Sequence, residues 1–519
     1  MKVPASFTVH FASHPSRIVT RLDLRAALFG LVLFAILAVA PSGWTQTVNR
    51  ISQAVNPSKV QALSNHLPHW ANTTNSAGLV PRDLVMDQMT IVLARSPDQQ
   101  SAFEAFLADQ QDPSSPNYHY WLTAQEVGDR FGLSEQDIEV IAAWLQSQGL
   151  HVNWISPSRT LIGFGGVAGD VGRAFQSEVN YYKVNGIQRM SVSSDPVIPD
   201  ALAPVIKAIR GLYSTDERPA IHMKTAQSSS PQYSLSTGGH LISPADFATI
   251  YDVPPSLTGA NQTIGILSLS RTNFADFANF RVQTGSTFPD PIETIPTVFG
   301  GVDPGINAFG QDEATLDVTR AGSVAPGARL LLVVSMNLDA DAEYLVYTDP
   351  VPAQVMSISF QNCELNAGQA GVDFWDELFH DAVVEGISVF VSSGDSGSSD
   401  CESSFKPPDP NLYSRSPNSL CSSSYVTCVG GTEFNDTNNP STYWSSSNTG
   451  SLSARGYIPE GAWNEPLSNN STIQVAATGG GVSAFITPTP TWQTGTGVPA
   501  ARTGRYTPDI SFSAAFHDG

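Results

Sequence analysis

Three stretches of this sequence hold residue types that could do chemistry together. In Asp312-Glu313-Ala314-Thr315-Leu316-Asp317, Glu313 and Asp317 stand four positions apart, which puts both carboxyls on one face of a helix. Two carboxyls held that close share a proton more readily than they both ionise, so their titrations couple and separate. Such a pair can accept and orient a proton in acid, where an imidazole is already charged. Acidic residues near a helix N-terminus also favour the macrodipole without doing any chemistry. The second stretch, Gly394-Asp395-Ser396-Gly397, follows the apolar run Ile387–Val391. In an open α/β sheet the crevice lies beyond the carboxyl ends of the strands, so Asp395 is expected at its rim. A protonated Asp there could donate to a developing oxyanion, and the same four residues also make an ordinary turn. The third, Gly479-Gly480-Gly481-Val482-Ser483, either lets another backbone approach closely or forms a flexible loop, and Thr507-Pro508-Asp509-Ile510-Ser511 follows it.

Gly-Asp-Ser-Gly also invites a chymotrypsin-type assignment with Ser396 as nucleophile, which needs a histidine base and a double β-barrel. After residue 238 the histidines are His240, His380 and His517, none in a suitable context, and the strand pattern is not that of a barrel. A subtilisin triad fails similarly, since no His-Gly-Thr-His segment occurs. His380 reads as a surface or packing residue on a helix over 368–385.

The elements that must carry these residues divide the chain. Residues 48–212 read as one domain of helices on an antiparallel sheet. Ser134 caps a helix marked by Ile138, Ile141, Ala142 and Leu145; strands are expected at 151–155, 160–164 and 179–184, and a second helix over 169–175. Residues 213–238 keep no apolar period, and read as a linker open to proteolysis. Beyond it, 263–269, 329–335, 355–359 and 387–392 are short continuous apolar runs, as in strands buried on both faces. Helices at 273–283, 311–322 and 368–385 alternate with them, so the expected fold is α/β, a doubly wound parallel sheet.

Composition narrows the setting. Charged residues are only 14% of the chain, against roughly 25% in ordinary soluble proteins. The 26 basic and 47 acidic residues give a net charge of −21, which argues against nucleic acid or an anionic membrane as partner. Few basic groups also means little self-repulsion once the carboxylates are neutralised in acid. Arg17, Arg21 and Arg25 precede the apolar run Ala26–Ala40, too short for a span of about 20 residues, so 1–46 is expected to be a signal peptide and the product secreted and extracellular. The four cysteines, Cys363, Cys401, Cys421 and Cys428, suggest two disulfides, with three connectivities open.

Taken in order, Glu313/Asp317, AGSVAPGA at 321–328, SISF at 357–360, SSGDSGS at 392–398, VGGTEF at 429–434, GGGVS at 479–483 and TPDISFSA at 507–514 resemble the catalytic domain of the sedolisin (kumamolisin-like) serine-carboxyl peptidases. YHYWLTAQEVGDRFG at 118–132, VIAAWLQSQGL at 140–150, AFQSEVNYY at 174–182 and IRGL at 209–212 resemble that family's activation domain, and ISPADFATIYDVP at 242–254 its mature start. The resemblance implies a signal peptide (1–46), an inhibitory propeptide (48–212), a processing linker (213–238) and a subtilisin-like peptidase domain (239–519). It implies Glu313 as general base, Asp317 as its orienting partner and Asp395 as oxyanion donor, with Ser359, Phe360, Gly479, Gly480 and Gly481 along the substrate. The implied nucleophile is a serine in a Gly-Thr-Ser segment after residue 511, and the implied calcium ligands lie later still. Neither is expected within 1–519, so no metal site is expected here and this stretch alone should be inactive. Gln361 departs from the pattern, standing where the family usually has Gly. The implied partners are protein or peptide substrates and the chain's own propeptide, with no membrane contact after signal cleavage. The alternative is a degenerate, non-catalytic binding protein whose propeptide stays docked.

Overall fold

Side-chain alternation along buried strands organises the second half of the molecule. In the computed structural model, which describes residues 48–515 except 185, 215–216, 220–240, 309, 400, 402–414, 466 and 470–471, Thr263–Ser268 lies between Arg329–Val334 and Val355–Ile358, parallel to both. Ser388–Ser392 and Thr427–Phe434 extend the sheet in parallel beyond Val355–Ile358. Ile292–Thr294 forms one edge; at the other, Thr427–Phe434 pairs antiparallel with Glu460–Ala462 and parallel with Ile510–Ser513. Ile266, Leu330, Leu332 and Val334 point to one face and pack with Phe277, Ala314 and Val318 of the helices Phe274–Thr284 and Gln311–Val324. Leu267, Leu331 and Val333 point to the other, against Leu345, Phe374 and Phe379 of Leu338–Tyr347 and Glu364–Val384. Both faces are therefore covered, which is why the strands read as continuous apolar runs.

The first half folds as two antiparallel sheets with helices. His151–Ile155, Leu161–Val167, Val85–Leu93 and Ile206–Arg210 form one sheet; Ser76–Leu79, Val179–Val184 and Ile187–Val192 form the other. Its helix starts are locally encoded. Ser96 and Thr123 close capping boxes with Gln99 and Glu126, and Ser134 accepts the Asp137 N–H at the head of Glu135–Ser147.

The two halves meet mainly along the helix Glu364–Val384. Gly368 breaks this helix at φ 61°, freeing backbone groups that the first half takes up: Gln369 N–H donates to the Asn65 carbonyl and the Tyr213 hydroxyl to the Ala367 carbonyl. At the far end Leu122 N–H and the Gln110 side-chain amide both donate to the Val384 carbonyl. Charge pairs bridge the halves, those of Arg95 and Arg210 buried and that of Lys207 partly exposed. Arg95 bonds Glu377 and Asp381, Lys207 Nζ lies 3.0 Å from Asp373, and Arg210 Nε lies 3.0 Å from Asp339 and also bonds Glu217. His380 is a packing residue here, stacked on Tyr425 and edge-on to Phe103.

The segment 213–238 begins in ordered contacts. Tyr213 is buried because its ring has an apolar pocket to fill, and the backbone of Arg218–Pro219 pairs antiparallel with Phe360–Gln361. The rest of that segment from residue 220, and the proposed signal peptide, lie outside the described residues. Arg210, with a side chain 1% exposed, holds two carboxylates whose charges would be left uncompensated without it. Replacing it with Met should lower the stability of the precursor by about 3–5 kcal/mol, the usual cost of breaking one side of a buried pair. Urea unfolding measures this; an unchanged midpoint would show that the pair holds nothing together.

Candidate active site

The helix Gln311–Val324 presents Glu313 and Asp317 one turn apart at the carboxyl edge of the parallel sheet. Glu313 is buried, and Asp317 Oδ1 accepts a hydrogen bond of 2.7 Å from Ser359 Oγ, just past the strand Val355–Ile358. Burial pushes Glu313 well above the ordinary carboxyl range, and the charges of Asp317 and Asp395 push it further. Burial pushes Asp317 up to about 7, against hydrogen bonds from Ser359 and Glu313 that favour its ionised form. Both shifts favour the protonated form, so the pair resists carrying two charges at once. Glu313 Oε2, also buried, has no hydrogen-bond partner among the described residues, which leaves it free to accept a proton from a reacting group.

Asp395 follows the strand Ser388–Ser392, and the structure brings it within electrostatic reach of Glu313. Its loop is held from two sides. Asp395 N–H donates to Gln361 Oε1 at 2.8 Å, and the Asp395 carbonyl accepts Ala477 N–H at 3.0 Å. Next to it, Gly479 N–H donates to the Gly394 carbonyl at 2.7 Å. A Cβ at Gly479 would stand 1.9 Å from the Ser393 carbonyl oxygen. One glycine of the triple is therefore required by close approach to the Asp395 loop. Gly480 and Gly481 adopt φ +149° and +156°, with Gly481–Val482 pairing antiparallel with Tyr506–Thr507.

Of the residues singled out in the sequence, Glu313, Asp317, Ser359 and Asp395 converge. The Phe360 ring turns into the core, so only its backbone faces the paired segment Arg218–Pro219. Ser396 is buried, with its hydroxyl unpartnered among the described residues. Cysteine pairing is resolved as Cys363–Cys401 and Cys421–Cys428, the first tying the strand of Gln361 to the loop after Asp395. Two residues went unnoticed in the sequence. Asn418 bonds the carbonyls of Phe360 and Ser392 and accepts Asn362 N–H, joining the two arms of the site. Glu364 accepts Ser483 Oγ and Ala484 N–H, fixing the chain after the glycines. Neither lies in a motif of its own; only the proximity of Glu364 to Cys363 and Gln361 was a signal.

Residues 72–215 match the family described as Pro-kumamolisin, activation domain. This sets the class: a precursor in which an activation domain precedes, and docks on, a parallel α/β sheet. Sedolisin of Pseudomonas sp. (strain 101) is 28% identical over 416 residues, 78% of this chain and 66% of that protein. Xanthomonalisin of Xanthomonas sp. (strain T-22) is 26% identical over 470 residues, covering 82% and 53%; kumamolisin of Bacillus sp. (strain MN-32) is 27% identical over 474, covering 88% and 78%. A solved Pseudomonas sedolisin, a serine-carboxyl proteinase complexed with two molecules of pseudo-iodotyrostatin, aligns with TM-score 0.44 and 29% identity over 53% of this chain and 72% of that one. These likenesses support a sedolisin-family precursor with its activation domain. The matched part spans 66% of sedolisin and 53% of xanthomonalisin.

Burial raises Glu313, Asp317, Asp341 and Glu343 together, Asp317 to about 7. A carboxyl raised in the folded state contributes stability that is full below its unfolded value of about 4 and is lost as pH rises through the folded value. The thermal midpoint of the precursor should therefore fall between pH 4 and pH 8. Calorimetry across that range checks it, and a midpoint rising through the window would contradict the buried-carboxyl assignment.

Proposed function

We propose that this protein is the precursor of a secreted, acid-acting endopeptidase that cuts protein or peptide substrates through an acyl-enzyme. The observation that carries this reading is the convergence of two proton-sharing carboxyls with Asp395 at the carboxyl edge of the parallel sheet. In this reading the nucleophile is a serine in a Gly-Thr-Ser segment C-terminal to Ile510–Ser513. Its Oγ attacks the scissile carbonyl carbon while its proton passes to Glu313, which hands its own proton to Asp317. Asp395, protonated, donates to the oxyanion. The C–N bond then breaks as Glu313 returns a proton to the leaving amine, and water hydrolyses the ester by the same relay in reverse.

An extended peptide would lie beside Ser359 and the backbone of Phe360, as Arg218–Pro219 does, with Gly479-Gly480-Gly481 across from it. That position of the propeptide's exit supports intramolecular inhibition, since a substrate needs the same edge. Among the described residues no helix is long and apolar enough to cross a membrane, and no group of three or more His, Cys, Asp or Glu could hold a metal ion. Calcium, which the resemblance implies, is proposed to be bound by residues further along the protein and enters no step here. Secretion rests on the apolar run Ala26–Ala40 and its preceding arginines.

The test uses protein extended through the downstream serine. Glu313→Gln and Asp317→Asn should each slow acid-triggered self-processing by at least about 100-fold with the fold intact by circular dichroism. A chain ending at Gly519 should hydrolyse no peptide. Near-normal processing by either variant would remove the dyad from the mechanism. N-terminal sequencing of the processed wild type should place the main cut within 213–238, with a mature start shortly before Ile242; a first stable cut inside 118–212 or beyond Tyr251 would move the boundary.

A further inference from the structure

From Val355 to Phe360 buried side chains alternate with less buried ones. Ile358 and Phe360, each 1% exposed, point into the core. Ser359 and Gln361 share the other side, and each holds a different part of the site. Ser359 Oγ donates to Asp317 Oδ1 at 2.7 Å, while Gln361 Oε1 accepts Asp395 N–H at 2.8 Å. Two residues apart in the chain just past the strand Val355–Ile358, these groups bind the dyad and the Asp395 loop to one short segment.

That segment is itself anchored. Asn418 ties the Phe360 carbonyl to the Ser392 carbonyl, and the Cys363–Cys401 disulfide closes the segment behind Gln361 onto the loop beyond Asp395. The opposite side of the Asp395 loop rests on Ala477 and Gly479, where the close approach to Ser393 leaves no slack. Gln361 is 2% exposed, so its amide is committed to this contact and is not a surface group. A side chain bonded to a backbone N–H cannot touch the reacting carbonyl. It can decide where the carboxyl of that residue stands.

We propose that Gln361 is a positioning residue for peptide hydrolysis: by holding the Asp395 backbone, it sets the Asp395 carboxyl at its working distance from the dyad, which Ser359 holds from two residues earlier in the chain. This rests on the reading of Asp395 as oxyanion donor. The gain from such a donor depends on its being in place before charge develops, so a loosened Asp395 should slow the chemical step more than it weakens substrate binding.

The experiment compares mature wild type, Gln361→Ala, Gln361→Glu and Glu313→Gln on one peptide substrate across pH. Gln361→Ala should lower kcat by about tenfold or more while KM stays within about threefold. Gln361→Glu keeps an acceptor for the Asp395 N–H and should recover much of that kcat. Asp395 is bonded to this position through its backbone and lies within electrostatic reach of Glu313; in the precursor Arg218 pairs with Gln361 along the backbone, and Glu364, the next carboxyl along the chain, is held by Ser483 and Ala484. A carboxylate at 361 would make Asp395 hold its proton more tightly, so the alkaline limb of kcat should move to higher pH in Gln361→Glu. What a merely structural glutamine would not give is a kcat loss at steady KM in Gln361→Ala that Gln361→Glu recovers. Wild-type kcat in Gln361→Ala, or an unmoved limb in Gln361→Glu, overturns the proposal; if Gln361→Ala does not fold, Gln361→Glu decides alone. Activity remaining in Glu313→Gln would instead sink the dyad reading, so the two failures are distinguishable.

Discussion

Two carboxyls one helical turn apart, shut away from water, cannot both carry charge without a large electrostatic cost. Glu313 and Asp317 are in that position, and much of the surrounding structure manages it. The Ser359 hydrogen bond favours the charged form of Asp317, whereas burial makes Glu313 keep its proton, and negative charge on Asp317 or Asp395 would add to that. Both carboxyls are thereby biased toward their protonated forms, which lets such a pair exchange a proton at a pH where imidazole would be locked in its charged form. The same desolvation that tunes the pair ties the stability of the fold to acid.

Holding a third carboxyl at a fixed distance from such a pair is a backbone problem. The Asp395 loop leaves a central strand and is gripped by Gln361 on one side and by Ala477 and Gly479 on the other. Asn418 and the Cys363–Cys401 bridge cross-link the arms. The activation domain completes the arrangement from outside. It supplies partners for the backbone groups freed at Gly368, buries Arg95 and Arg210 against carboxylates of the facing helices and pairs Lys207 with Asp373. Its exit strand lies on the edge that the proposed substrate would use.

Much of this was legible in the chain. The strands expected at 263–269, 329–335, 355–359 and 387–392 appear within a residue or so of their bounds, because burial on both faces leaves an unbroken apolar signature. Glu313 and Asp317 were legible because a helix turns four-residue spacing into adjacency. The helix expected over 368–385 starts earlier, at Glu364, since the break at Gly368 joins two helical pieces rather than ending one. The ordered start of the 213–238 segment was hidden, because pairing with Phe360–Gln361 is a contact about 140 residues away that no local period records. Asn418, Glu364 and the charge pairs around Arg95 and Arg210 were hidden for the same reason. Single polar residues acquire their partners only in three dimensions. The glycine triple had two open readings, and a steric contact with Ser393 decided one of its members.

The central claim is that the proton shared by Glu313 and Asp317, with Asp395 protonated opposite, is the working element of the site. The pH–rate profile of the mature enzyme tests this most directly, since each limb reports an ionisation of that set. The account predicts a bell with its maximum below neutrality, abolished in Glu313→Gln. A maximum above neutrality, with activity surviving in Glu313→Gln, would contradict it.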